Sequence, residues 1–424
     1  MKKLLLFSFA VASFSVQAQN FWTEKATGFD VAERGINDIS IVDQNIIWVK
    51  AYDGTGATGT GNLKEISRSL DGGETWMPQV VDLGSGTALL GLGSLSAVSA
   101  TTAWVSAYPD TGNTGGVWKT VNGGEDWTKQ ESAAYTADSF PNIVHFWDEN
   151  NGVTMGDPLG GYFEIYTTSD GGTTWTRVSQ ANIPPFMIEG STTEFGYAGN
   201  LEVAGNTIWF GTDFGRLYRS TDMGATWTVS QTPLEDFSGE NGGSYSFSNE
   251  TKGILNSFAG GLWNTMDGGE TWTEMSPTGT YGFNDIEYVP GTSTILSSGL
   301  DANMLGSYYS LDDGMNWMVA ESDTQFTDIE FLDSTTGFAG GFNFSSTIGG
   351  IYKYTGNVLA VAQFNNETMT VAPNPSNGNV QISGITVKQV TVYDISGKQV
   401  YNNLFNGLNI LDLDLTSLNS GMYL

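Results

Sequence analysis

The chain has 424 residues, with 46 Asp plus Glu against 16 Lys plus Arg, no cysteine and a formal charge of −30. A nucleic-acid backbone or an anionic lipid surface would be approached against this field, and no disulfide, thiolate catalyst or cysteine-ligated metal can form. With 55 glycines, 13 tryptophans and only 15% charged residues, the composition predicts an all-β protein of short strands and tight turns.

Lys2 and Lys3, the apolar run 4–14 and Val16-Gln17-Ala18 read as a secretory signal peptide over 1–18, with the mature chain starting at Gln19. The apolar run is too short for a bilayer, which needs ~20 residues. No later stretch approaches that length, so a soluble exported protein without a membrane span is expected.

A pattern Ser/Thr-x-Asp/Asn-x-Gly-x-x-Trp then returns six times, at 69–76, 120–127, 168–175, 220–227, 265–272 and 310–317. Its fixed positions are Asp71 and Trp76, Asn122 and Trp127, Asp170 and Trp175, Asp222 and Trp227, Asp267 and Trp272, and Asp312 and Trp317. Successive tryptophans are 51, 48, 52, 45 and 45 residues apart, the length of one four-stranded propeller blade. The acidic or amide side chain can accept backbone N–H bonds within a turn, and the glycine can take positive φ. The tryptophan then opens the next strand and can wedge against a neighbouring blade. These residues are expected to be structural.

A seventh unit follows without a complete box: 327–333, 337–341 and 350–356 read as its first three strands. Its outer strand is missing there, while residues 20–28 (NFWTEKATG) match ETWTEMS of the fifth unit and place Trp22 where Trp272 stands. The N-terminal strand is therefore expected to complete the last blade and close a seven-bladed β-propeller over 19–356, removing free sheet edges.

The repeats resemble the Asp boxes, or BNR repeats, of sialidase-like propellers, a group that includes sortilin-type receptors, xyloglucanases and photosystem II assembly-factor propellers. The resemblance implies the fold over about 20–356; the relatives do different jobs on this scaffold. After Gly356 the blade rhythm stops, and 357–369 reads as a linker. Residues 370–424 resemble the type A sorting domain of the type IX secretion system, on Pro373-Asn374-Pro375, Tyr393-Asp394 with Gly397-Lys398, and the run LTSLNSGMYL. Alternating Val390 and Val392 with turn residues between strands suggests a small β-sandwich. The resemblance implies passage through the outer membrane by the type IX machinery to a secreted or surface-attached location. The chain stops at Leu424, where that family continues with a further strand and a basic stretch, so a shortened C-terminus is implied.

Two sets of polar residues are candidates for function. The second strands end in aspartates, Asp53, Asp110, Asp157, Asp213 and Asp301, which predicts a carboxylate ring at the channel mouth on the face opposite the boxes. Like charges so placed raise one another's pKa unless a cation neutralises them, so Ca²⁺ or a cationic ligand is one reading. The other is that Asp suits these turns. The innermost strands align Ser40, Ser96, His145, Glu202, Ser246, Glu287 and Glu330 at one depth, pointing to the axis, where ordered water would satisfy them without any function. His145 is the only histidine, which excludes a His-rich zinc site.

A sialidase-like site needs three arginines on the substrate carboxylate. Of the five here, Arg68, Arg177 and Arg219 lie near boxes or on outer strands, leaving Arg34 and Arg216 in reach of the ring face. Hydrolysis of neutral sugars needs only two carboxylates, for which Asp157, Asp213 and Asp301 are candidates. Glycine clusters lack a following helix, so nucleotide binding has no support. Loop aromatics Tyr135, Phe140, Phe186, Phe195, Tyr197 and Phe237 are available for stacking on a sugar or a protein, or for core packing. The expectation is a secreted binding module for a glycan, peptide or surface protein, with a glycoside hydrolase as the alternative and no cofactor apart from the calcium reading.

Overall fold

The computed structural model describes residues 21–56, 62–109, 114–190, 192–239, 241–301, 304–356, 370–373, 376–394, 398–419 and 421. The expected signal peptide, the expected linker 357–369 and Asp110 lie outside them. The chain divides into two units, Met1–Ala360 and Val361–Leu424, and each is described by itself.

In the first unit, besides the short hairpin Ile188–Glu189 with Thr192–Thr193, five four-stranded antiparallel sheets and one eight-stranded sheet, which joins two further groups of four strands, make up seven four-stranded blades. Their innermost strands are Arg34–Ile41, Leu90–Ala97, Pro141–Phe146, Glu202–Ala204, Gly243–Phe247, Asp285–Tyr288 and Asp328–Asp333, and they define blades 1 to 7. Each blade is a meander from the axis outwards, except the last. Blade 7 runs Asp328–Asp333, Thr336–Ser345, Ile348–Tyr354 and then takes Trp22–Ala26 as its outer strand, with Trp22 opposite Tyr354 and Ala26 opposite Gly350. The N-terminal strand thus closes the ring. Gly35 of blade 1 pairs with Phe342 of blade 7, and the Thr327 hydroxyl donates to the Ile36 carbonyl, so the first and last blades are joined directly.

The six repeated turns share a core of hydrogen bonds, in which the Ser/Thr hydroxyl donates to the Asp/Asn side chain and accepts from the Gly amide while that side chain accepts from the amide four residues on. The tryptophan Nε1 bond recurs in four of them, and Trp175 and Trp272 lack it. In the first turn, the Ser69 hydroxyl donates to Asp71 Oδ1 (2.9 Å) and accepts from the Gly73 amide (2.8 Å). Asp71 Oδ1 accepts from the Thr75 amide (2.8 Å) and Oδ2 from its hydroxyl (2.6 Å), while Trp76 Nε1 donates to the Gly73 carbonyl (3.1 Å). Those bonds, led by the Thr75 hydroxyl, hold the Asp71 carboxyl below its usual range. Gly73 has φ 84°, and a Cβ there would meet Phe338 at 2.5 Å, so the position admits no side chain. The tryptophans wedge between blades. Trp76 meets Phe338 of blade 7 edge-on at 6.3 Å, and Trp227 packs in a cluster with Ile143, Val153 and Phe163 of blade 3. Each turn also receives support from the first hairpin of its own blade, as where the Gly72 amide donates to the Asn45 carbonyl and that of Gly171 to Asn150. First hairpins and repeated turns therefore share one face of the ring.

In the second unit, Thr370–Ala372, Asn379–Tyr393 and Gln399–Asp414 form one three-stranded antiparallel sheet, where the sequence suggested two packed sheets. The two long strands make up for the second layer by changing register at Ser383/Val387 and Val387/Gln389. Such bulges bend a ribbon, and Ile382, Leu411 and Leu413 are buried together with Val380, Val390, Tyr401 and Phe405 against them.

Ring closure should depend on Trp22, which is buried among Phe21, Phe326, Phe331 and Tyr354 and donates from Nε1 to Ser307 of blade 6 at 2.8 Å. Trp22→Ala is expected to cost about 3–5 kcal/mol in urea unfolding. A variant as stable as the parent would show that this strand does not carry closure.

Candidate functional site

An innermost strand is a sheet edge whose outward amides have no strand partner. Here polar side chains from the preceding blade supply one. Asp38 Oδ2 accepts from the Leu95 amide (2.8 Å), Ser40 from Ala97 (3.0 Å), Ser94 from Val144 (2.7 Å) and Ser96 from Phe146 (2.9 Å). Glu202 accepts from Phe247 (2.8 Å), Ser246 from Tyr288 (2.9 Å) and Asp285 from Ile329 (2.9 Å). The aligned column of the sequence is thus a set of staples between blades, a role for which direct bonds rather than water suffice at Ser40, Ser96, Glu202 and Ser246.

The axis between these strands holds a cavity of about 860 Å³ lined by all seven blades, including Asp38, Ser40, Ser96, His145, Glu202, Glu287, Asp328 and Glu330. It is bounded by first-hairpin residues Asp148, Glu149, Asn249 and Glu250, so the larger mouth is on the face of the repeated turns, not on the opposite face where ligands were expected. A second hollow of about 240 Å³ approaches from that opposite face and shares Glu202, Glu287, Asp328 and Glu330, adding Ser244, Tyr245 and Asp285. The two meet at one carboxylate collar.

Six carboxylates face this axis: Asp38, Glu202, Asp285, Glu287, Asp328 and Glu330. Lys50 answers them in part, donating to the Gly93 carbonyl at 2.6 Å with Asp38 at 3.9 Å. Loss of hydration pushes Asp38 up and Lys50 down, and the attraction between them offsets only part of it. Glu202 is pushed up to about 8 by lost hydration, against the Phe247 and Ser246 bonds that favour its ionised form. Lost hydration also raises Glu287 and Glu330, reinforced by the charge of Glu202, and Asp328, reinforced by Asp285 and Asp38. Neighbouring carboxylates on one collar also disfavour one another's ionisation, so their titrations are linked. Asp38, Asp285, Asp328 and Lys50 were missed in the sequence. The signal was there: Asp-Ile-Ser at 38–40 and Asp-Ile-Glu at 285–287 and 328–330 put two acceptors on one face of each strand.

The second-strand aspartates do not form this collar. Asp53 lies 3.6 Å from Arg34 and accepts from the Thr55 amide. Asp157 accepts from Asn142 Nδ2 (2.7 Å) and the Gly196 amide (3.0 Å), and Asp213 from the Phe195 amide (2.8 Å). Burial raises both Asp157 and Asp213 to about 6. Neither lines the axial hollows, because the second strand ends one layer further out than the first. Asp301 lines a separate pocket with Phe258, Phe283 and Met304. Arg216 is also turned inward: it donates to the Pro185 carbonyl and the Tyr218 hydroxyl and lies 3.5 Å from the buried Glu194. Arg34 is bound to Glu65 at 2.9 Å. His145 lines the cavity with its ring edge-on to Trp147 and is lowered to about 4 by burial, so it is neutral and unsuited to proton transfer at neutral pH. Of the loop aromatics, Tyr135 and Phe237 are core residues, Phe140 stacks on Tyr108 at 4.7 Å, Phe186 and Tyr197 pack against cores, and Phe195 is exposed. Among the described residues no group of three or more His, Asp or Glu is arranged to hold a metal ion, and no helix is long and apolar enough to cross a membrane.

Fold and tail together define a β-propeller that carries an export signal at its C-terminal end. Residues 370–424 match the family of the secretion system C-terminal sorting domain, the type IX tail, which marks the chain for export to the cell surface or the extracellular space through the type IX machinery. The propeller is similar to YCF48 bound to D1 peptide, at 18% identity and TM-score 0.56 over 80% of this chain and 97% of that one. It is similar to YCF48 from Cyanidioschyzon merolae at 17% identity and TM-score 0.54, over 78% and 98%. An ancestral GH74 enzyme aligns at 12% identity and TM-score 0.50, over 89% of this chain and 50% of that one. At these identities the likeness is one of fold. No curated protein matches the chain in sequence.

The raised acids set the sign of a pH effect. Glu202 keeps its proton up to about pH 8 in the fold but loses it near its ordinary 4.5 when unfolded. Its contribution to stability is therefore full below 4.5, falls as pH rises from 4.5 to 8, and is gone above. Asp157 and Asp213 act alike from 3.8 to about 6, whereas Asp71 and the other box aspartates lose their contribution only as pH falls through their lowered values. Urea stability should be higher at about pH 5 than at about pH 8.5, with a flatter slope in Glu202→Gln. The opposite trend would mean that the axial acids are ionised in the fold.

Proposed function

We propose that the protein is an exported binding module that takes a basic group of a peptide or surface protein at its axial collar. The observation that carries this reading is the surplus of carboxylates over lysine on a cavity open from both faces. A cation entering the channel supplies the counter-charge that offsets the lost hydration, and the lesser mutual repulsion, of these acids, so binding and ionisation reinforce each other. Export by the type IX route supports a role at the cell surface.

No described arrangement singles out a glycan as the ligand. The hydrolase alternative rests on Asp157 and Asp213, which flank the 195–196 backbone and are both raised to about 6. A hydrolase pair must face a cavity that admits sugar and water, and these two instead accept from the amides of Gly196 and Phe195 and line neither axial hollow. Calcium at the second-strand aspartates has equally little support, since Asp53 is paired with Arg34 and Asp157 and Asp213 accept from protein donors.

Calorimetric titration of the full chain with tri-lysine peptide at low salt should show binding, with protons released at pH 7. The double variant Glu287→Gln/Glu330→Gln should bind at least about tenfold more weakly, as should the parent at high salt. Absence of binding, or affinity unchanged by the double variant, would overturn the reading; calcium in place of the peptide should leave the melting temperature unmoved.

A further inference from the structure

On the face opposite the repeated turns, a pocket of about 340 Å³ lies beside the smaller axial mouth. Its walls are Phe258, Phe283, Gly299, Leu300 and Met304, with Asn284 and Asp301 as its polar members. The volume is at the low end of the ~300–1,000 Å³ of ligand pockets, and the mixture of apolar walls with few polar groups is theirs too.

The walls are held from several sides. Phe258 follows the strand Gly253–Ser257, and its amide donates to the Gly242 carbonyl at 2.8 Å. Phe283 packs edge-on to Tyr281 at 5.1 Å, and Tyr281 donates to the Gly260 carbonyl at 2.8 Å. Asn284 Nδ2 donates to Ser298 Oγ and the Phe326 carbonyl, and Gln325 to the Leu300 carbonyl. A pocket preformed in this way loses little conformational entropy on filling.

Phe258 also lines the axial mouth, so one ring separates the apolar pocket from Asp285, Glu287, Asp328 and Glu330. Asn284 and Asp285, adjacent in the chain, open into the two hollows respectively. Side chains two apart on an extended segment point the same way, about 7 Å from each other, the spacing needed to straddle one side chain.

We propose that the two hollows together read a pair of side chains at positions i and i+2 of an extended peptide. A large apolar side chain fills the pocket between Phe258 and Phe283, and a lysine or arginine stands over the carboxylate mouth. This rests on the cationic reading of the collar and adds an apolar specificity to it. The charge of the mouth selects the basic residue, and the pocket selects its neighbour.

The test uses the full chain and four fluorescein-labelled peptides in polarisation titrations: Gly-Phe-Ser-Lys-Gly, its reversed order Gly-Lys-Ser-Phe-Gly, Gly-Ala-Ser-Lys-Gly and Gly-Phe-Ser-Glu-Gly. One of the two Phe/Lys peptides should bind at least tenfold more tightly than the Ala/Lys and Phe/Glu peptides. Leu300→Ser, at a residue that lines the apolar pocket and not the axial mouth, should remove that advantage while leaving the Ala/Lys affinity and the melting curve in place. If Leu300→Ser unfolds, Phe283→Ala tests the same pocket. Equal binding of the Phe/Lys and Ala/Lys peptides would overturn this inference and leave the collar reading standing. No binding by any lysine peptide would remove both.

Discussion

Seven innermost strands turn one open edge each toward a shared axis, and every unpaired amide on those edges needs an acceptor. Into blades 2, 3, 5, 6 and 7 the preceding blade's innermost strand provides it through a side chain, with serine in some blades and a carboxylate in others. That single constraint accounts for why the axis is polar and why it stays open. Apolar residues there would fill the channel but leave the edges unsatisfied.

Serine and carboxylate perform the stapling equally, but they differ in what they leave over. A serine hydroxyl is used up by its bonds, whereas a carboxylate keeps a second oxygen and a charge. Blade 2 supplies Ser94 and Ser96, and the other side of the ring supplies Glu202, Asp285, Glu287, Asp328 and Glu330. The channel is therefore one-sided in charge, and Lys50 sits next to Asp38 where blade 1 meets blade 2. Acids beyond structural need are held with raised affinity for protons, and a basic ligand that replaces those protons supplies the counter-charge that their ionised forms lack. The stability lost as these acids ionise gives such a ligand a thermodynamic reason to be kept.

Much of the fold was legible in the chain because its signals are local. The repeated turn needs an acceptor, a glycine and a tryptophan at fixed spacing, and each box carries them within eight residues. Closure by Trp22 was legible because the seventh unit lacked an outer strand and residues 20–28 had the form of one. The site was harder to read, since the distance of a residue from the axis depends on its layer in the blade. Aspartates at the ends of the second strands looked like a rim, yet Asp53, Asp157 and Asp213 serve their own turns or pair with a neighbour. Period two on the innermost strands carried the better signal, and following it from Glu287 and Glu330 back two positions leads to Asp285 and Asp328. The pocket beside Phe258 had no signature, because its walls come from two blades that only the ring brings together.

The collar's proton affinity can be observed without any ligand. Carboxyl-carbon NMR of the full chain labelled in glutamate, followed from acid to alkaline pH, resolves each glutamate by its own titration. Glu202, Glu287 and Glu330, assigned by single Gln substitutions, should change state well above the usual carboxylate range, with Glu202 near 8. If all three titrate together with the surface glutamates near 4.5, the axis is an ordinary hydrated pore and the account of a proton-holding, cation-seeking channel is wrong.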